Sequence, residues 1–441
     1  MASNELQDTH HKALTINLDE SMFGSFAEIG AGQEVARWFL TVGGASGTVA
    51  KTISAYDKEV SDDLYGSGTR YVSKARLQAM LETEWQQLLA QLNEDRGLKT
   101  RFFSFVDTIA ARNFAGTNDA HGWVGLRFQL APRGPANDVI LHVNLRDSSN
   151  LSQQEAVGIL GVNLLYAVSH SLGSKEEFLA GLFENLGLER MEMDCLEWKG
   201  EAFASWDRNE IHAFLVAGGY AEGVVFPADD ALVPANELLY KRAMVIAPGR
   251  FDLADQLYAD LIQNTLAQLP REELSESKGG LGLFCLPTRA LPDERAPMTP
   301  REIVGHVAGL RKLGFGVMVV RAQELYGIST FVNRYTKLRI HFALGLTMLM
   351  RVFKEQYQDQ DVAMLGAIAR LFTQNVRVSV YPRSAADVEK QAQAAGVAHW
   401  TWKETGGMVT ADNVQLIGPQ NFLYQFLLSS GFVIPGKHTK A

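Results

Sequence analysis

Apolar positions along this chain follow two regimes. Up to about residue 200 helical and alternating spacings are mixed, and beyond about 240 short, wholly apolar runs alternate with amphipathic ones. Residues 13–19 read Ala-Leu-Thr-Ile-Asn-Leu-Asp, an alternation that predicts a short strand. Ile29, Val35, Ala36 and Phe39 fall at helical spacing within 26–40, and glycines 43, 44 and 47 then interrupt the pattern. A helix is predicted over 73–92, with Ser73 as cap and Leu77, Met80, Leu81, Trp85, Leu88 and Leu89 on one face. Residues 101–110, 121–130 and 138–145 read as strands, 153–169 as an apolar helix, and 189–198 and 223–226 as further strands.

The second regime is more regular. Strands are predicted over 243–247, 280–286, 315–320 and 376–381, with helices over 253–269 and 299–313. The latter helix opens with Thr299 as cap, Pro300 first and Glu302 third. Strands that are apolar throughout and alternate with helices imply a sheet covered on both faces, hence parallel. The expected fold class is therefore α/β. A mixed α+β domain is expected over 1–205 and a Rossmann-like, mostly parallel α/β domain over 206–441.

Composition narrows the class. The chain has 441 residues, 46% of them hydrophobic and 21% charged, which excludes a disordered chain or a coiled-coil rod. Its net charge of −9 argues against a broad nucleic-acid surface. The first ten residues lack the basic start and apolar stretch of a secretory signal, and the longest apolar run, 156–168, is shorter than the ~20 residues of a membrane span. The expected location is the cytoplasm, away from membranes, with Cys195 and Cys285 as buried free thiols and no metal site.

Several segments carry candidate chemistry. The run from Gly43 to Thr52 resembles a phosphate loop, but Ala50 stands before Lys51 where that motif needs glycine, so a turn between helices is the expected reading. Gly30-Ala31-Gly32 lacks the third glycine of a dinucleotide fingerprint. Asn118 to Trp123 combines Asp119 and His121 ahead of a strand, with His142 and Asp107 on neighbouring strands. A His beside Asp suits a general base or a metal ligand, and a structural His in a hydrogen-bonded turn is the alternative. His142 alternates with Leu141 and Val143 and is compatible with a solvent-facing position. Arg112, Arg127 and Arg146 suit either a local anion site or pairing with Asp107, Asp138 and Asp147. Arg334 to His341 is basic and reads as a polyanion contact or a solvated face.

Two further segments resemble nucleotidyltransferases of the adenylyl-transfer class. Gly249-Arg250-Phe251-Asp252 follows a predicted strand, as does that class's Gly-x-Phe-Asp turn. Ile328-Ser329-Thr330-Phe331-Val332-Asn333-Arg334 is similar to its Ile-Ser-Ser-Thr-x-x-Arg segment. The resemblance implies Gly249, Phe251, Asp252, Ser329, Thr330 and Arg334 as ligand-binding residues and ATP with Mg as cofactor. The class's His-x-Gly-His segment is replaced here by Asp255-Gln256-Leu257-Tyr258, and an acidic group at that place repels triphosphate.

Over most of its length the chain also resembles a widespread bacterial family. The likeness is carried by 26–39, 51–57, 64–66, 70–73, 121–129 and 158–166, and later by Arg334-Tyr335-Thr336, Arg370-Leu371-Phe372 and Val380-Tyr381-Pro382. Members carry two labels, nicotinate-nucleotide adenylyltransferase and TonB-dependent receptor. The receptor label conflicts with the lack of a signal and of a barrel's alternating segments. The expected function is a cytoplasmic protein that binds a nucleotide or phosphorylated metabolite and self-associates. The alternatives are a nicotinate- or nicotinamide-nucleotide adenylyltransferase and a non-catalytic assembling subunit. The aromatic segment Phe23 to Phe39 motivates the self-contact.

Overall fold

The computed structural model describes residues 9–436 except 69, 230, 232, 252–255, 289–295, 323, 354–363, 395–399 and 404–406. The fold is α/β, and the chain divides into two compact units, Met1–Ala221 and Glu222–Ala441. The helix at 208–217 packs on the strand at 191–199, so it belongs to the first unit.

Unit 1 contains α1 (Thr9–Asn17), β1 (Met22–Ile29), α2 (Glu34–Thr41), β2 (Val49–Ile53), α3 (Lys58–Tyr65), α4 (Lys74–Arg96), β3 (Arg101–Ala110), β4 (His121–Gln129), β5 (Ala136–Leu145), α5 (Asn150–His170), α6 (Lys175–Leu182), β6 (Met191–Lys199) and α7 (Arg208–Ala217). Its six strands pair in the order β2-β1-β3-β4-β5-β6, parallel among the first three and antiparallel from β3 onward. The Ser73 hydroxyl accepts the Arg76 amide and caps α4, as the sequence predicts.

Two elements differ from the sequence reading. Residues 9–17 are helical: Ala13, Ile16 and Asn17 are buried on one side, α1 packs on α5, and Leu18 is exposed. Packing against α5 overrides the local alternation. Residues 26–29 belong to β1, and the helix starts only at Glu34, because Gly30 and Gly32 turn the chain between them. Gly30 has φ +98°, and a Cβ there would lie 1.9 Å from the Ile109 carbonyl oxygen, so only glycine passes. The glycine run at 43–47 joins α2 to a strand, β2, rather than to a helix. Phe23, Phe26 and Phe39 are buried inside the unit, where Phe26 meets Phe39 at 5.2 Å and Phe103 at 5.5 Å. These rings are spent on the core and do not form an outward contact face.

Unit 2 contains β7 (Gly223–Phe226), α8 (Ala235–Leu239), β8 (Ala243–Pro248), α9 (Gln256–Ala267), α10 (Arg271–Ser275), β9 (Gly280–Pro287), α11 (Pro300–Arg311), β10 (Gly316–Val320), α12 (Leu325–Val332), β11 (Ile340–Gly345), α13 (Leu346–Val352), α14 (Met364–Leu371) and β12 (Val376–Tyr381). Two small ribbons follow, β13 (Arg383–Ser384) with β15 (Met408–Val409) and β14 (Trp400–Trp402) with β16 (Val414–Leu416). Helices α15 (Ala385–Ala394) and α16 (Gln420–Ser429) and strand β17 (Val433–Pro435) complete it.

The large sheet has the order β17-β12-β11-β8-β9-β10-β7, all parallel except β7 at the edge. Counted from β8, the six parallel strands follow the order 3-2-1-4-5-6 of doubly wound nucleotide-binding sheets. Helices cover both faces. Ile262 of α9 lies against Gly282, while Ile328, Phe331 and Val332 of α12 pack with Leu283, Cys285 and Met318 on the other face. The α11 capping box is present as predicted: Thr299 and Glu302 bond reciprocally. Both cysteines are buried and in no disulfide, and burial pushes the Cys285 thiol up. Among the described residues no helix is long and apolar enough to cross a membrane.

Candidate functional site

From β8 the chain winds through β9 and β10 to one side, then returns for β11, β12 and β17 on the other. The connections after β8 and β11 therefore leave in opposite directions, which makes the carboxyl ends of these two neighbouring strands the switch point at which sheets of this order take ligands. The turn after β8 holds Gly249, Arg250 and Phe251. The Gly249 amide donates to the Cys285 carbonyl at 3.0 Å, which ties the turn to β9. A Cβ on residue 249 would come within 3.1 Å of the Phe251 ring. Phe251 has φ +49°, a left-handed conformation that is costly for a bulky side chain. Its ring is held edge-on by Tyr258 at 4.9 Å and Phe284 at 5.3 Å.

Arg250 is the feature that sequence reasoning passed over. Its Nε and Nη1 are buried and have no hydrogen-bond partner among the described residues. A guanidinium cannot shed its charge, so buried and unbonded N–H groups carry a full desolvation cost that an anion would relieve. Glu302 at the start of α11 has its carboxyl held below the usual range, first by the Thr299 amide and hydroxyl and further by the Arg250 charge. An arginine whose N–H groups are covered beside a glycine turn is not distinguishable in sequence from an exposed one.

The other expected ligand residues lie apart from this turn. Asp252 falls outside the described residues. Ser329 is buried within α12 and donates to the Leu371 carbonyl at 3.2 Å, and Thr330 donates to the Tyr326 carbonyl at 2.9 Å. Arg334 is paired with Glu222 at the start of β7, an edge strand three spacings or ~14 Å from β8. Phe251 packs on the Phe284 face of the sheet and α12 on the opposite, Cys285 face. In the basic run, Arg339 pairs with Glu273 at 3.0 Å, Lys337 donates to the Asn333 carbonyl, and the His341 Nε2 meets Glu273 at 3.3 Å.

Unit 1 answers its own candidates. Lys51 pairs with Glu84 at 2.6 Å and donates to Gln87, so the 43–52 run is no phosphate loop. The first α2 amides, on Val35 and Ala36, donate to the Glu28 carboxylate, so the turn at 30–32 keeps its own anion. Arg127 is bound by Asp138 at 2.7 Å and by Glu82, low on β4, whereas Arg146 follows the far end of β5 with Glu192 at 3.9 Å. These two arginines do not converge. His142 is fully buried rather than solvent-facing: its Nδ1 meets the Asp194 carboxylate at 2.6 Å and its Nε2 the His121 Nδ1 at 3.1 Å. Burial, then the His142 charge, holds His121 down at about 4. Asp107 pairs across the sheet with Glu28, on the face opposite to these histidines.

No family model matches the chain, and no curated protein matches it. Solved structures give slight likenesses. One is the competence/damage-inducible protein CihA of Agrobacterium tumefaciens, 20% identical over 37% of this chain and 97% of that one, with a TM-score of 0.28. Another is the competence-damaged (CinA) superfamily protein of Klebsiella pneumoniae, 13% identical over 40% and 99%, with a TM-score of 0.26. A third, of the same superfamily in Escherichia coli, is 12% identical over 34% and 84%, with a TM-score of 0.24. Likeness of this degree assigns neither fold nor activity to the chain. The adenylyltransferase and receptor labels gain no support from any of the three comparisons.

Proposed function

We propose that unit 2 binds the phosphate of a nucleotide or other phosphorylated metabolite at the carboxyl ends of β8 and β11. Arg250 carries this reading: a half-buried arginine whose Nε and Nη1 are covered and unspent, at the strand ends where doubly wound sheets take their ligands. Gly249 lets the backbone approach closely, and Phe251 offers the edge of a rigid aromatic wall. Unspent guanidinium N–H groups suit an oxyanion, and a tetrahedral phosphate offers several acceptor oxygens to N–H groups that point in different directions. ATP, with or without Mg, is the first probe.

The test is thermal unfolding of the full chain with ATP, nicotinate mononucleotide and pyrophosphate, each at millimolar concentration. A ligand at 100 times its Kd adds ~2.7 kcal/mol to the stability of the bound unit. At least one of the three is expected to raise the melting temperature of the natural chain and not that of R250A. No shift with any of them, or an equal shift in both proteins, contradicts the reading.

A further inference from the structure

Unit 2 holds a second group of cations, at the opposite end of its sheet from Arg250. Arg250 follows the carboxyl end of β8, whereas Arg339 precedes β11 and Arg377 lies near the start of β12, directly opposite His341. Ile340, Val376 and Val378 fill the core on one face of these strands. Side chains alternate along a strand, so His341 and Arg377 point to the other face, where Glu273 of α10 meets both Arg339 and His341. Arg339 and Arg377 donate through Nη1 to the same carbonyl, that of Gln374, each at 3.0 Å. Two guanidinium cations therefore stand side by side, an arrangement that an anion relieves.

Arg377 is held in place and yet open. Its Nη1 makes a second bond, to the Val376 carbonyl at 2.7 Å, and its guanidinium carbon lies over the Phe432 ring, 4.6 Å from the centre. Its Nε and Nη2, the side edge of the fork, have no partner among the described residues. Arg127 shows what that edge takes: there Nε and Nη2 meet the two oxygens of the Asp138 carboxylate at 2.7 and 2.9 Å. Glu273 is already divided between the Arg339 Nε at 3.0 Å and the His341 Nε2 at 3.3 Å. Burial, then the Arg339 charge, holds Arg377 below its ordinary value against the pull of Glu273. Arg339 also lines a hollow of about 360 Å³ with Lys337, Glu273, Glu276, Gln374 and Asn375. Burial holds His341 below its ordinary value, so it is neutral at pH 7. Three cations, Lys337, Arg339 and Arg377, thus stand against the two carboxylates, and one positive charge is left over.

We propose that this cluster is a ligand site of its own, independent of the Arg250 proposal, and that it binds the carboxylate of a small hydroxylated acid. The planar carboxylate takes the Nε–Nη2 edge of Arg377 in two parallel bonds, as Asp138 takes that of Arg127. The Arg339 Nη2 is the next donor, since its Nε and Nη1 are spent on Glu273 and Gln374. A single negative charge matches the one that is left over, whereas a phosphate dianion exceeds it and is repelled by Glu273 and Glu276. The hollow beside Arg339 has Leu338 as its one apolar member, so it suits hydroxyl groups rather than an alkyl tail. Gln374 and Phe432 act as positioning residues: the first fixes both guanidinium groups, the second fixes the plane of Arg377.

The probe is gluconate, titrated calorimetrically into the full chain at low ionic strength, with sorbitol as the polyol that lacks the carboxylate. Gluconate is expected to bind at one saturable site and sorbitol not to bind, a comparison that needs no variant to fold. R377K keeps the charge and loses the fork, and is expected to bind gluconate at least tenfold more weakly. R250A is expected to bind gluconate as the natural chain does, which separates this site from the one at the carboxyl ends. In R250A methyl phosphate is expected to bind more weakly than gluconate. No saturable binding of gluconate, equal binding of sorbitol, or equal affinity in R377K overturns the proposal. Loss of gluconate binding in R250A, or methyl phosphate binding there as tightly as gluconate, overturns it as well.

Discussion

Glu28 and Asp107 lie side by side on β1 and β3, and both are wholly buried. Burial pushes Glu28 up to about 7 against the lowering pull of the Ala36 and Val35 amides. Burial and the Glu28 charge push Asp107 well above the carboxylate range. The Asp107 Oδ1 accepts the Ile29 amide, while its Oδ2 has no partner among the described residues, so at neutral pH the proton rests on Asp107. A carboxyl whose pKa is higher in the fold than in the unfolded chain favours folding most below its unfolded value. It gives that advantage up as the pH rises to the folded value. Unit 1 should therefore lose stability as the pH climbs from about 4.5 through about 7. Asn in place of Asp107 mimics the protonated form and removes part of that loss, at ~1.4 kcal/mol per pKa unit. In urea melts D107N is expected to gain ~1–2 kcal/mol on the natural chain at pH 8 relative to pH 5. An equal difference at both pH values contradicts the shared-proton account.

The elements that were legible in the sequence are those whose packing agrees with their local pattern. β3, β7 and β12 lie where their apolar runs predict, and α4 and α11 start at their caps, because caps and runs are local signals. The stretch 13–19 failed because Leu14, Ile16 and Leu18 alternate as in a strand while Ala13 and Ile16, three apart, share a helix face, and only α5, far along the chain, decides between them. The break at residue 30 is a backbone matter. Its signal was present in Gly30 and Gly32, but apolar spacing does not report φ. Alanine at 30 meets both a forbidden φ and the Ile109 carbonyl. G30A is expected to cost ~3 kcal/mol or more in chemical melts, whereas G43A, where a Cβ meets nothing but φ is also positive, costs ~1 kcal/mol. Equal costs at the two glycines would show that the Ile109 contact does not fix the turn.

Each unit has its own sheet and its own buried core, and the division falls between 221 and 222. A fragment of 222–441 made alone is accordingly expected to melt cooperatively and to keep the ligand response of the full chain. A fragment that stays unfolded would mean that its core is incomplete without unit 1. At this scale the sequence conveys the parallel sheet, through apolar strands alternating with helices, and one half of the candidate site, the turn at 249–251. The segment from Ser329 to Arg334 shares only a motif with that turn. Its distance from β8 depends on strand order, which no local pattern encodes. Arg250 escaped notice for a related reason: covered N–H groups without a partner are a property of the assembled sheet.

The central claim, a phosphate-binding site built on Arg250, is tested most directly by isothermal titration of ATP into the full chain and into R250A at low ionic strength. One saturable site is expected in the natural protein, with at least tenfold weaker affinity in R250A, a difference of ~1.4 kcal/mol. Equal affinity in the two proteins, or no measurable binding in the natural one, would contradict it.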